Sequence, residues 1–267
     1  MKGLYYRLIV FLDTADENST NYNIAWYMVH HLEEISTIGI SELAKVCFVS
    51  PATISRFSRT IGYENFAHLK QNCASNRKYR TLMHSANKIP TSMMKKNPHQ
   101  ATFEYVEKIN QATSEMVEYL NWEQIDEVLK LIHDMKNVYF FGTQFSHSAA
   151  LHLQADLLMM DKFTIAYIDY EKQLETAKYL DDESVAIIIS VNGHFASSAS
   201  KAMHYIKKAN SKVVFITHDA SLEEVKYADY VIELGSKSNG DYGKHTLLTL
   251  MELLSSRYYT LFEITRS

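Results

Sequence analysis

Cysteine is scarce in this chain of 267 residues, which holds only two, Cys47 and Cys73. Two thiols can build neither a disulfide framework nor a four-cysteine zinc site. Both lie in apolar segments with helical spacing, so we expect them to be reduced thiols in a core. The twelve histidines show none of the paired spacings that hold metals. We therefore expect no metal and no cofactor.

Long uncharged apolar runs are also missing. No stretch approaches the roughly 20 apolar residues that cross a membrane. The apolar run from Leu8 to Leu12 is too short for a signal peptide, and Asp13 ends it. Hydrophobic residues still make up 46% of the chain, which is enough for substantial cores. These features predict a soluble, cytoplasmic protein with no membrane partner.

Proline is rare as well, and two of the three prolines, Pro90 and Pro98, fall in one weakly periodic segment. This predicts a linker over residues 78–101, with one domain over residues 1–77 and a second over residues 102–267.

Charge is divided unevenly along the chain. Residues 1–96 carry twelve basic and seven acidic side chains, whereas residues 97–267 carry fifteen basic and twenty-four acidic ones. From Lys45 to Lys96 there are ten basic residues and a single acid, Glu64. A cationic stretch in a chain of formal net charge −4 indicates a polyanionic partner for the first domain.

The first domain has the pattern of several short amphipathic helices. Ile24, Met28, Leu32 and Ile35 share a helical face and predict one helix. Ile40 to Gly62 then predicts two short helices and a tight turn.

In that segment Ser41 is expected to cap the first helix, and Ser50 with Pro51 to begin the second. Ile54, Phe57 and Ile61 form the buried face of the second helix, and Gly62 ends it. The side chains expected to meet a DNA major groove are Pro51, Ala52, Thr53, Ser55, Arg56 and Arg59. The alternative is an ordinary helical hairpin with a solvated polar face.

The segment resembles the DNA-binding domain of the RpiR family of bacterial sugar-metabolism regulators. The matching positions are Leu43-Ala44, Val49-Ser50, Thr53, Arg56-Phe57, Ile61-Gly62, Phe66 and Leu69-Lys70. The resemblance implies a regulator that binds double-stranded operator DNA and carries a second, sugar-phosphate-binding domain of the SIS type. It also implies a homodimer or homotetramer.

The second half alternates short apolar runs with helical segments. The runs are expected to be strands, and they lie at residues 138–141, 164–168, 185–189, 213–216 and 230–234. Continuous apolar strands separated by helices predict a doubly wound α/β domain with a parallel sheet. Residues 244–265 predict a long final helix whose apolar face could close the domain or form a dimer seam.

Polar residues follow three of these strands directly, at the sheet edge where ligands bind in such folds. The expected ligand-binding residues are Gly142, Gln144, Ser146, Ser190, Asn192, Gly193 and Thr217. The same residue types also serve as ordinary caps and turns. The first two loops resemble the G-x-G-x-S and S-x-S-G-x-T loops of SIS domains. Gln144, Asn192 and Phe195 depart from those patterns, which leaves open a different ligand or a purely structural domain.

No catalytic set is evident. His147, His194, His218 and Glu171 lie near the expected site, but their spacing makes no acid–base pair. We therefore expect a regulator that is not an enzyme, with a sugar-phosphate isomerase as the alternative.

Overall fold

The structure is a computed structural model that describes residues 3–73, 89–193, 195–196 and 199–262. The chain forms two compact units, residues 1–87 and residues 88–267. Each has its own hydrophobic core.

Helices are the regular secondary structure of the first unit among its described residues, and short turns connect them. Its helices are α1 (Gly3–Thr14), α2 (Thr20–His30), α3 (Leu32–Ile35), α4 (Ile40–Val46), α5 (Pro51–Thr60) and α6 (residues 66–73). The expected single helix through Ile24 and Ile35 is wrong, because the backbone leaves helical geometry at His31 (φ −124°, ψ 33°). Ile24 and Ile35 nevertheless share one core with Leu43 and Phe57.

The second helix of the pair begins and ends as expected. The Ser50 hydroxyl accepts a hydrogen bond from the Thr53 amide at 3.2 Å, Pro51 is the first helical residue, and Gly62 follows the helix at φ 81°. The expected cap of the first helix is wrong, since α4 begins at Ile40 and Gly39 occupies the cap position.

Three helices precede the sheet in the second unit: α7 (Thr91–Lys96), α8 (Pro98–Tyr119) and α9 (Trp122–Asp134). Part of the segment expected to be a linker is therefore helical, and residues 78–88 lie outside the described residues. The expected linker is helical at its C-terminal end because the Asn97 side chain accepts a hydrogen bond from the Gln100 amide and caps α8. Pro98 then occupies the first position of α8, where proline starts a helix instead of interrupting one.

A five-stranded parallel sheet forms the centre of the second unit, in the order β2-β1-β3-β4-β5. The strands are β1 (Asn137–Phe141), β2 (Ile165–Ala166), β3 (Ser184–Ile189), β4 (Lys212–Thr217) and β5 (Tyr230–Glu233). The helices after β1 are α10 (Phe145–Met159), α11 (Tyr170–Lys178), α12 (Ser200–Lys208) and α13 (Gly243–Phe262). Separate cores cover the two sheet faces, as expected for a doubly wound fold.

The final helix closes one of these cores. Leu247, Leu250, Leu254 and Tyr258 on α13 are buried against the sheet. Two roles were expected for the apolar face of this helix, closing the domain core or forming a dimer seam, and in the structure it closes the core. Among the described residues, no helix has the length and apolarity needed to span a membrane.

Candidate DNA-binding surface and ligand loops

The outward face of α5 carries the residues expected to contact DNA. Pro51, Ala52, Arg56 and Arg59 are exposed, whereas Thr53 and Ser55 are half-buried. Neither arginine has a carboxylate partner within the part of the chain that the structure describes. Two unneutralised guanidinium groups therefore stand on one face of a capped helix.

The turn between α4 and α5 has an unusual exposed aromatic residue. Phe48 is 95% exposed and has φ 55°, a conformation that costs a bulky side chain free energy. With Trp26, Tyr27 and Cys47 it lines an open cavity of about 660 Å³. The expectation of a core thiol is confirmed for buried Cys73, whereas Cys47 is half-buried and packs against the edge of the same core. Burial still raises the pKa of the Cys47 thiol.

The first ligand loop follows β1 and leads into α10. A Cβ added to Gly142 would lie 3.0 Å from the Ser146 Cβ and 3.3 Å from the Ile189 carbonyl oxygen, so glycine fits the close packing here. The Gly142 amide donates to the side chain of buried Gln173, which in turn donates to the Gly142 and Tyr167 carbonyls at 2.8 and 2.7 Å. Gln173 fixes this loop, a role that sequence reasoning missed.

Gln144 occupies a strained position in the same loop. The Ser146 amide donates to the Thr143 carbonyl at 3.2 Å, which closes a turn around Gln144 and Phe145. Gln144 has φ 55° and ψ −121°, the geometry of the first central residue of a type II′ turn, where glycine is favoured. Glycine would adopt this geometry without the strain that glutamine carries.

The side chains of this loop have free hydrogen-bonding capacity. Gln144 and Ser146 are both half-buried, and neither side chain has a hydrogen-bond partner within the described ranges. They lie at the N-terminus of the 15-residue α10, whose first amides point toward the loop. The Lys244 ammonium lies 5.8 Å from the centre of the Phe145 ring and adds a positive charge nearby.

The polar groups of the other two loops are bonded within the protein. Ser190 accepts hydrogen bonds from the amides of Phe195 and Ala196 at 3.1 and 3.2 Å. Asn192 donates to the Gly240 carbonyl at 3.0 Å. Thr217 donates to the Val191 carbonyl and accepts from the Asp219 amide. Gly193 has φ 74°, and an added Cβ would lie 2.9 Å from the Leu222 side chain. These contacts match the alternative reading of caps and turns.

A short 3₁₀ segment, Lys237–Tyr242, lies over these loops, and we call it the strap. Lys237 pairs with Asp219 at 2.6 Å. The Glu115 carboxylate on α8 accepts hydrogen bonds from the Ser236 amide at 3.0 Å and from the Asn239 side chain. The hydrogen bonds from Ser236 hold the pKa of Glu115 below its usual value. Sequence reasoning missed Glu115, because 121 residues separate it from Ser236.

Two of the histidines expected near the site have structural roles. His218 Nδ1 faces the Gly235 and Ser236 carbonyl oxygens, so we assign the hydrogen to this nitrogen, and Nε2 lies 2.9 Å from the Thr246 hydroxyl. His147 Nε2 lies 2.9 Å from the Ala166 carbonyl oxygen. Burial lowers the pKa of both.

The other two catalytic candidates are placed differently. Glu171 lies in the first turn of α11. His194 lies outside the described residues.

Comparison with known proteins matches both parts of the chain to known domain families. Residues 15–78 match the rpiR-family helix-turn-helix domain, and residues 131–254 match the SIS domain. An HTH-type transcriptional regulator of Providencia stuartii is 24% identical over 220 residues, covering 80% of this chain and 74% of the relative.

Two solved structures show the same fold. The Vibrio vulnificus NanR protein complexed with ManNAc-6P matches 97% of this chain and 94% of that chain, with a TM-score of 0.54 and 14% identity. A protein of Escherichia coli CFT073 matches 62% of this chain and 93% of its own, with a TM-score of 0.51 and 15% identity. The chain therefore joins a helix-turn-helix domain of the rpiR family to a SIS domain, and it is similar over most of its length to proteins named HTH-type transcriptional regulators.

Proposed function

We propose that this protein regulates transcription by inserting α5 into the major groove of operator DNA, under the control of a phosphorylated sugar bound at the SIS domain. The observation that carries the DNA part is the pair of exposed arginines, Arg56 and Arg59, on a helix capped by Ser50. Guanidinium groups bind phosphates and guanine edges. Pro51, Ala52, Thr53 and Ser55 lie near the N-terminus of the helix, where close approach to bases requires small side chains.

The experiment is operator binding by Arg56→Ala and Arg59→Ala across a salt series. If the residue contacts a phosphate, we expect weaker binding at all sequences and a salt slope smaller by about 0.9. If it contacts a base, the loss is about 1–3 kcal/mol and is confined to the specific site. Lys108→Ala removes an equal charge from exposed α8 and is the matched control. Unchanged affinity in both arginine variants would contradict the groove placement.

The ligand part of the proposal rests on the first loop. Gln144 and Ser146 offer side-chain donors that bond to no other residue in the part of the chain that the structure describes, and they lie beside the α10 N-terminus and Lys244. Such a set suits the phosphate of a phosphosugar. Gly142 has no side chain, so a phosphate can approach the backbone of this loop closely. Ser190, Asn192, Gly193 and Thr217 shape the neighbouring loops, and Asn192 reaches a ligand only by leaving Gly240.

Binding is tested by thermal unfolding with ManNAc-6P and a panel of other sugar phosphates, and with inorganic phosphate as the control. A ligand at 100 times its Kd stabilises the native state by about 2.7 kcal/mol. Ser146→Ala should remove the stabilisation. A panel that never shifts the midpoint would favour a purely structural SIS domain.

Control of DNA binding follows from linkage. The ligand can change DNA affinity only by its differential affinity for the DNA-competent and incompetent states. We propose that the protein acts in the cytoplasm, where operator DNA is available, and that it is not an enzyme. Turnover of a sugar phosphate by the purified protein would overturn the last statement.

A further inference from the structure

The turn between α4 and α5 holds Phe48 at a position where glycine is the usual residue. The Phe48 amide donates to the Lys45 carbonyl at 3.1 Å. The Val49 amide donates to the Ala44 carbonyl at 2.9 Å. These two bonds form the Schellman motif that ends a helix, and its left-handed position is commonly glycine because glycine has no Cβ. Phe48, with φ 55°, occupies that position.

Phenylalanine costs the folded chain free energy here in two ways. The left-handed backbone conformation strains a residue that has a bulky side chain. The ring is 95% exposed, so it gains no free energy from burial in the core. A single exposed apolar residue is ordinary, but one held in a strained conformation indicates a role outside the fold. The ring of Phe48 is therefore available to a partner.

The surroundings of Phe48 favour DNA as that partner. Phe48 precedes Ser50, the N-cap of α5, by two residues, so their Cα atoms lie within about 7 Å of each other. The segment from Lys45 to Gly62 carries three cations, all of them exposed, and no acid. Positive charge on both sides of an exposed ring attracts a polyanion more than it attracts an apolar protein surface.

We infer that Phe48 recognises thymine, by packing its ring against the C5 methyl group of a thymine in the major groove beside the N-terminus of α5. The ring has no hydrogen-bonding group, so it can recognise only an apolar part of a base. The thymine methyl is the apolar group that a base pair presents in the major groove. The inference rests on the proposed DNA binding, and it adds a preference for thymine at one position of the operator.

The test uses the full-length chain and the tightest-binding duplex that it selects from a pool of random-sequence DNA. Each thymine in turn is replaced by deoxyuridine, which lacks the methyl group and keeps every hydrogen-bonding atom of the base. At one thymine of the bound site the replacement should weaken binding about fourfold, which corresponds to about 0.8 kcal/mol for one buried carbon.

The Phe48→Ala variant should bind the unmodified duplex at least fourfold more weakly than the parent does. It should not respond to deoxyuridine at the sensitive thymine, and it should keep the salt slope of the parent because no charge is lost. Phe163→Ala is the matched control, since it removes a ring that is 63% exposed from the second unit. That variant should keep the affinity and the methyl response of the parent.

A second variant separates contact with DNA from folding. Phe48→Gly should not lower the thermal midpoint of the first unit, because glycine adopts the left-handed conformation without strain. It should nevertheless bind the duplex as weakly as Phe48→Ala does.

The outcomes distinguish this inference from the proposed function. If the parent selects no duplex over competitor DNA, the proposed function fails and the inference fails with it. If the parent binds specifically but Phe48→Ala keeps its affinity, only the inference is overturned, and the ring serves a partner other than DNA. A loss of affinity in Phe48→Ala without any methyl-sensitive thymine in the parent would also overturn the recognition of thymine.

Discussion

At the scale of single residues, Phe48 and Gln144 adopt backbone conformations that favour glycine, as does Asp161 with φ 57°. Phe48 and Gln144 both have φ 55°, one in the turn before α5 and the other in the turn before α10. Such conformations cost about 1–3 kcal/mol each, and they persist where the surrounding structure holds them. Both turns adjoin the helices to which we assign DNA and ligand binding.

Gln144→Gly is expected to stabilise the second unit by about 1 kcal/mol, because glycine adopts the turn geometry without strain. Thermal unfolding should show a midpoint about 2–4 °C higher. The same change in the interior of α8, Gln111→Gly, should lower the midpoint, because glycine costs about 1 kcal/mol in a helix. If Gln144→Gly also lowers it, the turn is not strained.

The proposed sugar-phosphate site also predicts the ligand affinity of the Gln144→Gly variant. Gln144→Gly should bind ligand more weakly although the protein is more stable, because the amide donor is lost.

At the scale of elements, capping decides where the helices of the DNA-binding pair begin. The Ser50 side chain caps α5 through the Thr53 amide, whereas Ser41 lies inside α4 and its side chain has no hydrogen-bond partner among the residues described. Ser50→Ala should cost about 1 kcal/mol of stability in the first unit, measured by chemical denaturation. Ser41→Ala is the matched control and should cost much less. Equal losses would mean that the cap contributes nothing.

The strap is held by side chains from three other segments of the chain, those of Glu115, Asn192 and Asp219. Glu115→Ala removes the acceptor for the Ser236 amide and the Asn239 side chain, which should cost about 1–3 kcal/mol and speed hydrogen exchange over residues 236–242. Glu118→Ala removes an exposed carboxylate from the same helix and should change neither. Unaltered exchange in the Glu115 variant would show that other contacts hold the strap.

At the scale of the whole molecule, the two buried histidines His147 and His218 make the free energy of unfolding depend on pH in mild acid. Burial lowers the pKa of His147 and of His218, so the unfolded chain binds more protons than the folded one. Their contribution to stability is complete above the unfolded pKa of about 6.5 and is lost as the pH falls below it. Glu115 faces His218 and opposes part of this shift.

The second unit should therefore unfold at lower denaturant concentration at about pH 5 than at about pH 7.5. His147→Gln and His218→Gln should flatten the dependence even where they cost stability. Carboxylates with lowered pKa, such as Asp126 beside Arg257, lose their contribution only below about pH 4. If the stability of the unsubstituted protein does not change between pH 5 and 7.5, the assignment of this pH dependence to His147 and His218 is wrong.

The sequence by itself determined the architecture. The five apolar runs became five parallel strands because each is continuous over a strand length and bounded by polar residues, a local signal. Ser50, Pro51 and Gly62 placed the ends of α5 for the same reason, since capping involves neighbours within four residues. The sequence alone did not determine where the second unit begins, because Pro98 is compatible both with a break in the chain and with the start of a helix.

Only the tertiary structure decided which polar groups are free. Ser190, Asn192 and Thr217 look like ligand-binding residues in sequence, yet their side chains bond to atoms of their own protein. Among the residues that the structure describes, the side chains of Gln144 and Ser146 have no such partner. The partners of Ser190 lie five and six residues away, but Val191 lies 26 residues from Thr217 and Gly240 lies 48 residues from Asn192, so no local pattern predicts those two contacts. Helix and strand formation depends on near neighbours, whereas hydrogen-bond satisfaction depends on which distant segments the fold brings together.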